Sequence, residues 1–388
     1  MNELRNQIDN MIFSKMKNYK DLSKETGVPE STISKWLTHG TEISAFSFIK
    51  IISALLPDDK HEQEELIILY LKTLKDGSCL NRKVVFIISY LNRNMKVFNY
   101  LLTTCINHKY SSMKKFSRVF QLYNLRLLGG NIKEIYQEIP SLYKNATKKE
   151  KDLEVLCNIL SMIIKLDLGE MKLIEGYRKK ITKHFCSMRN NDLKIIYRFW
   201  VDELFSYYLL RKNELEKFRR YYNVLRHHPN LIFFPVIQSS LDLKAGESYL
   251  NSNEYEKAVM LLENALQVFR KWGDHLRYTQ ALNDIHFLRI KEWKDIDKID
   301  FENLHLAEKA LYHIQLEEYS QAIKILYELK EKNGKLTPLQ TCYLGMAKFD
   351  LNLIRESIGM LRENNDYLFL EFAEQMYDKY SRTLEIML

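Results

Sequence analysis

Glycine and proline are scarce in this chain, with 12 and 6 among 388 residues. Folds built from many short strands depend on both residues for their tight turns. Their scarcity, beside an abundance of helix formers, argues for an all-α protein. Long apolar runs are missing too. Nothing approaches the ~18 residues that a membrane span requires, and Val84 to Leu91 is too short. The stretch MNELRNQIDN is polar and of mixed charge, without a signal-peptide core. Five cysteines (Cys79, Cys105, Cys157, Cys186 and Cys342) are scattered and never form a C-x-x-C pair. That pattern predicts reduced thiols in a cytosol and argues against zinc. The Asn145-Ala146-Thr147 sequon is then expected to carry no sugar.

Catalytic signatures are equally absent. The chain has no P-loop, no GxGxxG, no HExxH and no GxSxG. His227-His228 precedes Pro229 and lacks a carboxylate at ligand spacing. The 24 Tyr and 19 Phe recur mostly at helix-packing intervals and read as core. The expectation is a protein that is not an enzyme and uses neither cofactor nor metal.

What is present begins with Tyr19 to Leu56, YKDLSKETGVPESTISKWLTHGTEISAFSFIKIISALL. A short amphipathic segment ends at Gly27, where positive φ costs nothing. A second segment starts at Pro29, a residue suited to a first helical turn. Within it Ile33, Trp36 and Leu37 share one side, and Glu30, Ser31, Thr32, Ser34 and Lys35 are left to face outward. Phe46, Phe48, Ile49, Ile52, Leu55 and Leu56 supply a third helix beneath. The pattern Leu22-x-x-x-x-Gly27-Val28-x-x-Ser31-x-Ile33-Ser34-x-Trp36-x-x-x-Gly40 resembles the repressor-type helix-turn-helix. Its second helix has the width of the major groove. Glu30, Ser31, Thr32, Ser34 and Lys35 are the expected base-edge residues, with Lys20 and His39 near phosphates of a double-stranded operator.

Charge is distributed unevenly. Net charge is +8, yet from Met1 to Lys60 eight basic residues balance eight acidic ones. From Gly77 to Lys133 there is no acid, against ten basic residues. Arg82, Lys83, Arg93, Lys96, Lys114, Lys115 and Arg118 belong to this run and are candidate phosphate contacts. The competing reading is a solvated helical face that complements acids elsewhere. Val84, Val85, Ile87, Ile88, Leu91, Met95, Phe98, Leu101 and Leu102 recur at helical spacing, so the segment is expected to be folded.

Beyond about residue 140 the chain reads as helical pairs. In GESYLNSNEYEKAVMLLENALQVF, Gly246, Tyr249, Ala258, Leu262 and Ala265 occupy the alternating small and large slots of a tetratricopeptide repeat. Ala310 with Ala322, and Gly345 with Ser357, repeat the small-to-small interval. Weaker units can be drawn through Met162 to Arg178 and Ser206 to Tyr222. The gap between Gly246 and Ala310 leaves room for one degenerate unit containing Trp272 and Trp293. Stacked repeats form a solenoid whose concave face suits peptides or protein partners. Four segments follow as expectations: 1–60 helix-turn-helix, 61–140 basic connector, 141–370 repeat domain, and 371–388 capping or dimerisation segment. The apolar ending, with Met376, Tyr377, Leu384, Ile386, Met387 and Leu388, is either a cap on the last repeat or a two-fold contact. A homodimer through it suits a protein reading two half-sites.

A helix-turn-helix fused to a degenerate tetratricopeptide solenoid resembles the peptide-sensing regulators of Gram-positive bacteria. The runs SSMKKFSRVFQLYNLR (Ser111 to Arg126), YTQALNDIHFLRIKEWKDI (Tyr278 to Ile296) and ENNDYLFLEF resemble the arbitrium receptors of temperate phages. The resemblance implies a dimeric DNA-binding regulator in the bacterial cytoplasm. It also implies a short signalling peptide on the concave face that tips lysis against lysogeny. Asp366 matches the family's acidic pocket position, and Gln280 and Asn283 would contact the peptide backbone. The family's pocket asparagine falls at Glu247, and its pocket arginine near Val236, where no basic residue stands. The alternative is a solenoid that binds a partner protein, with a vestigial helix-turn-helix.

Overall fold

The computed structural model describes residues 2–144, 150–252 and 254–387. The sequon at Asn145 and the last residue, Leu388, lie outside them. The described residues are helical and loop-connected, with no strand. They form two compact units. The first comprises Met1–Ile164, Glu175–Val201 and Pro229–Ile237, and the second Lys165–Ile174, Asp202–His228 and Gln238–Leu388.

The first unit opens with α1 (Asn2–Ser14), α2 (Tyr19–Thr26), α3 (Glu30–His39) and α4 (Ala45–Leu55). Asn18 starts α2 with a capping box shared with Asp21, satisfying donors that a helix start leaves orphaned. Gly27 ends it at φ 67°. Thr26 Oγ1 fixes the corner by donating to the Leu22 carbonyl and accepting from Val28 N. Pro29 stands one residue ahead of α3, with ψ 135°. It directs the chain into the helix from outside, and Glu30 takes the first helical position. Below α3, Ile33 is 0% and Trp36 4% exposed. Trp36 meets Phe48 edge-on at 5.7 Å, and Phe48 stacks on Tyr70 at 4.4 Å. Tyr70 belongs to α5 (Lys60–Thr73), and its hydroxyl donates to the Ile43 carbonyl at 2.8 Å. Each such aromatic pair adds about 0.5–1.5 kcal/mol beyond its buried area, so α5 is fastened to the three-helix module.

The acid-free run folds as α6 (Cys79–Leu91), α7 (Met95–Cys105) and α8 (Ser111–Leu127), followed by α9 (Ile132–Tyr143). Phe86, Phe98, Phe116 and Phe120 form its centre, with Phe86 stacked on Phe120 at 4.5 Å. α10 (Lys151–Asp167), α11 (Ile174–Phe185) and α12 (Asn191–Arg211) come next.

The second unit continues with α13 (Leu215–Arg226), α14 (Pro235–Glu247), α15 (Tyr255–Trp272), α16 (His275–Glu292), α17 (Leu306–Gln315), α18 (Tyr319–Asn333), α19 (Pro338–Lys348), α20 (Leu351–Glu363) and α21 (Tyr367–Met387). Its pairing follows the small residues. A Cβ on Gly246 would lie 2.7 Å from Leu262 Cγ and 3.2 Å from the Ala258 carbonyl oxygen, so α14 and α15 touch where glycine permits. One on Gly345 would lie 2.9 Å from the Ile354 backbone nitrogen, and α19 and α20 pack at the same slot. Ala310, Ala322 and Ser357 are fully buried. The stretch between Gly246 and Ala310 contains α15, α16 and an irregular segment with one 3-10 turn, Ile296–Lys298. The degenerate unit is therefore a single helix, α16, which packs between α15 and α17.

Candidate functional site

Charged side chains sink into the second unit from the first helices of its pairs and from α16. α12 contributes Glu203, Tyr207 and Arg211; α14 contributes Ser240, Lys244 and Glu247. α16 adds Arg277, Gln280 and Asp284, and α17 adds Glu308. Two networks result.

The first is balanced. Glu203 Oε1 accepts from Lys244 Nζ and Ser240 Oγ, both at 2.5 Å, and from Arg277 Nη2 at 3.5 Å. Arg277 Nη1 donates to Asp274 at 3.2 Å, so two cations meet two carboxylates. Burial alone would raise the Glu203 carboxyl, but the charges of Lys244 and Arg277 outweigh it and hold the group at about 2. The same burial lowers Lys244.

The second network is not balanced. Arg211 donates from Nη2 to Glu247 Oε1 and from Nη1 to Asp366 Oδ2, both at 3.4 Å. The rings of Tyr207 and Phe369 lie 4.9 and 5.0 Å from its guanidinium carbon. Gln280 Nε2 donates to the same Glu247 oxygen at 2.9 Å. Burial works against a charged Arg211, yet Tyr207, Asp366, Glu247 and Asp284 hold it above its ordinary value. A single guanidinium thus faces the carboxyls of Glu247, Asp284 and Asp366. Burial, followed by the charge of Glu247, pushes the Asp284 carboxyl well above the usual range. Acceptors outnumber donors here, which suits a donor-rich ligand.

On α3 the outward row is in place. Glu30, Ser31 and Lys35 are exposed, Thr32 and Ser34 half-buried, and Lys20 and His39 exposed nearby. The basic run is largely engaged within its own unit. Lys83 pairs with Asp152 at 2.6 Å, Lys115 with Glu150 at 3.2 Å and Arg118 with Glu138 at 2.7 Å. Lys96 pairs with Glu65. Arg82 donates to the carbonyls of Leu71, Leu74 and Lys75, closing the end of α5. Arg93 lies over the Tyr90 ring at 5.3 Å, and Lys114 is exposed. A cleft of about 630 Å³ in this unit, lined by Lys83, Lys151, Asp152 and Arg189 among others, lies away from α3. Among the described residues no group of His, Cys, Asp and Glu could hold a metal ion, and no helix is long and apolar enough to cross a membrane.

Residues 63–376 match the AimR transcriptional regulator-like family. The chain belongs to that family. It is a family of transcriptional regulators, not of enzymes. The match starts beyond α4, so the helix-turn-helix precedes it. A selenomethionyl phAimR structure is similar over 97% of this chain and 96% of its own, with TM-score 0.70 and 18% identity. A ligand-bound phAimR is similar over 87% of this chain and 98% of its own, with TM-score 0.73 and 18% identity. At that identity the likeness is one of fold. An uncharacterized protein of Bacillus anthracis is 23% identical over 254 residues, which is 64% of this chain and 93% of its own.

In this AimR-like regulator Asp366 and Gln280 meet in one network through Arg211 and Glu247. Asn283 is half-buried on α16, next to Asp284. Val236 is fully buried, and the guanidinium that meets Glu247 and Asp366 is that of Arg211. Sequence reasoning missed both Arg211 and Asp284. A signal for Arg211 existed: it continues an α12 face with Tyr207 and Tyr208, where a charged residue is out of place. In α21 the side chains of Leu370, Phe372, Ala373 and Tyr380 join the core, so up to Tyr380 the helix caps the last pair. Met376 lines a groove of about 360 Å³ with Phe349, Phe372 and Tyr380. The Tyr377 hydroxyl accepts from Arg355 at 2.6 Å, and Leu384 is half-buried. The side chains of Ile386 and Met387 lie outside the described ones.

Proposed function

We propose that this AimR-like chain is a sequence-specific DNA-binding transcription regulator controlled by a short signalling peptide, acting as a homodimer in the bacterial cytoplasm. Residues 1–60 read the operator, 61–140 connect, 141–370 bind the peptide, and 371–388 cap the solenoid and join the protomers. The peptide decides between lysis and lysogeny of a temperate phage or prophage. The observation that carries the reading is the Arg211–Glu247–Gln280–Asp366 network, in which Arg211 and Glu247 are buried, Gln280 and Asp366 half-buried, and Glu247 Oε2 is an unsatisfied acceptor. The solution of phAimR with a ligand supports it. An extended peptide has unpaired N–H and C=O groups that need partners on burial, and Gln280 and Asn283 offer both kinds. The polar row of exposed Glu30, Ser31 and Lys35 with half-buried Thr32 and Ser34, over buried Ile33 and Trp36, supports the DNA half.

The ion pairs of Lys83, Lys96, Lys115 and Arg118 favour a second reading. In it the chain binds a partner protein and the helix-turn-helix is vestigial. Selection of genomic fragments by the purified full chain, followed by anisotropy titration with and without the peptide encoded beside the gene, distinguishes the two. An enriched fragment whose affinity responds to the peptide is expected. No enrichment at low salt would leave the partner-protein reading.

A further inference from the structure

The cleft of about 630 Å³ in the first unit belongs neither to α3 nor to the charged networks of the second unit. Small-molecule sites usually measure about 300–1,000 Å³. Leu80 and Lys83 reach it from the start of α6, and Lys151 and Asp152 from the start of α10. The turn Ser187 to Asn190 and then Leu193 bring the start of α12. Lys83 is only 9% exposed. Among the described residues Asp152 alone accepts a hydrogen bond from its ammonium, at 2.6 Å, and the Phe116 ring lies 5.2 Å away. An ammonium has three donors, so a buried cation lines the cleft with N–H groups unfilled, an unfavourable state that an acceptor relieves. Among the described residues neither Lys151 nor Arg189 has an ion-pair partner. Asp152 offsets Lys83, so the lining keeps an excess of two positive charges. Leu80, 42% exposed, is joined there by the buried side chains of Met188 and Leu193.

We propose that this cleft binds a small organic phosphate monoester, its phosphate held by Lys83, Lys151 and Arg189 and its organic body laid against Leu80, Met188 and Leu193. A monoester carries nearly two negative charges at neutral pH and three strong acceptor oxygens, matching the charge excess and the unfilled donors. The Arg189 guanidinium suits phosphate because its planar fork can bond two oxygens at once. The first N–H groups of a helix lack intrahelical partners and form its positive end, so the three helix starts add to the attraction. Bare phosphate would fill little of the volume and leave Leu80 uncovered, which is why the ester needs a body.

Thermal shifts and calorimetric titration of the full chain test this. The probes are ribose 5-phosphate, AMP and GMP, each against ribose, adenosine or guanosine, with inorganic phosphate and succinate alongside. At least one phosphorylated probe should stabilise the protein, more than inorganic phosphate does, while its unphosphorylated counterpart does nothing. Lys83→Ala is a poor test because its pair with Asp152 supports the fold. Lys151→Ala combined with Arg189→Ala should instead weaken that probe at least about tenfold, with the melting temperature of the probe-free protein unchanged. Lys179→Ala, an exposed cation on α11 outside the lining, should leave binding as it was. No shift from any phosphorylated probe overturns the inference. So does succinate binding as tightly as the best phosphate, which would make the site one for dicarboxylates. Binding that survives the double substitution, or falls equally in Lys179→Ala, overturns the assignment to this cleft.

Discussion

Arg211 Nη1 lies 3.4 Å from Asp366 Oδ2 although the two residues are 155 positions apart. The contact draws the end of α12 to the start of α21, and Glu247 shares the guanidinium from α14. Truncating one partner of a desolvated pair costs ~2–5 kcal/mol in a complex. Asp366→Ala is therefore expected to weaken peptide binding at least about tenfold, leaving operator affinity of the peptide-free protein unchanged. Calorimetric titration measures the first and anisotropy the second. Unaltered peptide affinity would remove Asp366 from the site.

Ser34 and Lys35 stand on the outward side of α3, opposite buried Ile33 and Trp36. Lys35→Ala is expected to cost about 1–3 kcal/mol of operator affinity if it holds a guanine. Combined with Ser34→Ala it should abolish discrimination between operator and random DNA in anisotropy titrations. Retained discrimination would mean that another element reads the bases.

The basic run divides by its partners. Lys83 is enclosed with Asp152, so Lys83→Ala should act on folding, lowering stability by about 3 kcal/mol in a denaturant melt. Lys114 is exposed, and Lys114→Ala should shrink the log–log salt slope of DNA binding by about 0.9. Arg118 and Lys96, in exposed pairs, have little stability to lose and can turn to phosphates. A slope unchanged after neutralising Lys96, Lys114 and Arg118 together would assign the run to stability and solubility.

Asp284 gives a pH signature. Burial raises its folded carboxyl above the unfolded value of 3.8, so the folded state binds more protons and loses stability as pH rises above that value. Asp284→Asn, which mimics the protonated form, removes the loss. Its melting temperature should match the wild type below about pH 4 and exceed it increasingly toward neutrality. A constant difference across that range would show that Asp284 does not titrate in this window.

The C-terminus separates capping from association. Tyr380 is 7% exposed and within the core, whereas Leu384 is only half-buried. A chain ending at Ser381 should keep its far-ultraviolet spectrum and sediment as a monomer. A dimer that persists would move the interface away from the last residues.

Helical class, the corner at Gly27 and the glycine slots at Gly246 and Gly345 are properties of short stretches of sequence. Each follows from local rules, namely scarce turn residues, a left-handed cap, or the need for a missing Cβ where helices touch. Asp366 and Gln280 also stood out from the sequence, through resemblance. Their meeting did not, because Arg211 and Glu247, which join them, belong to helices far away in the chain. Charge followed the same division. The sequence determined that Gly77 to Lys133 contains no acid. Only the tertiary structure decided that Glu65, Glu138, Glu150 and Asp152, from outside the run, would meet that charge. Ion pairing depends on which faces approach within a few ångströms, a distance no count along the chain encodes. For the same reason the surplus acid at Asp284 became visible only after packing placed it against Glu247.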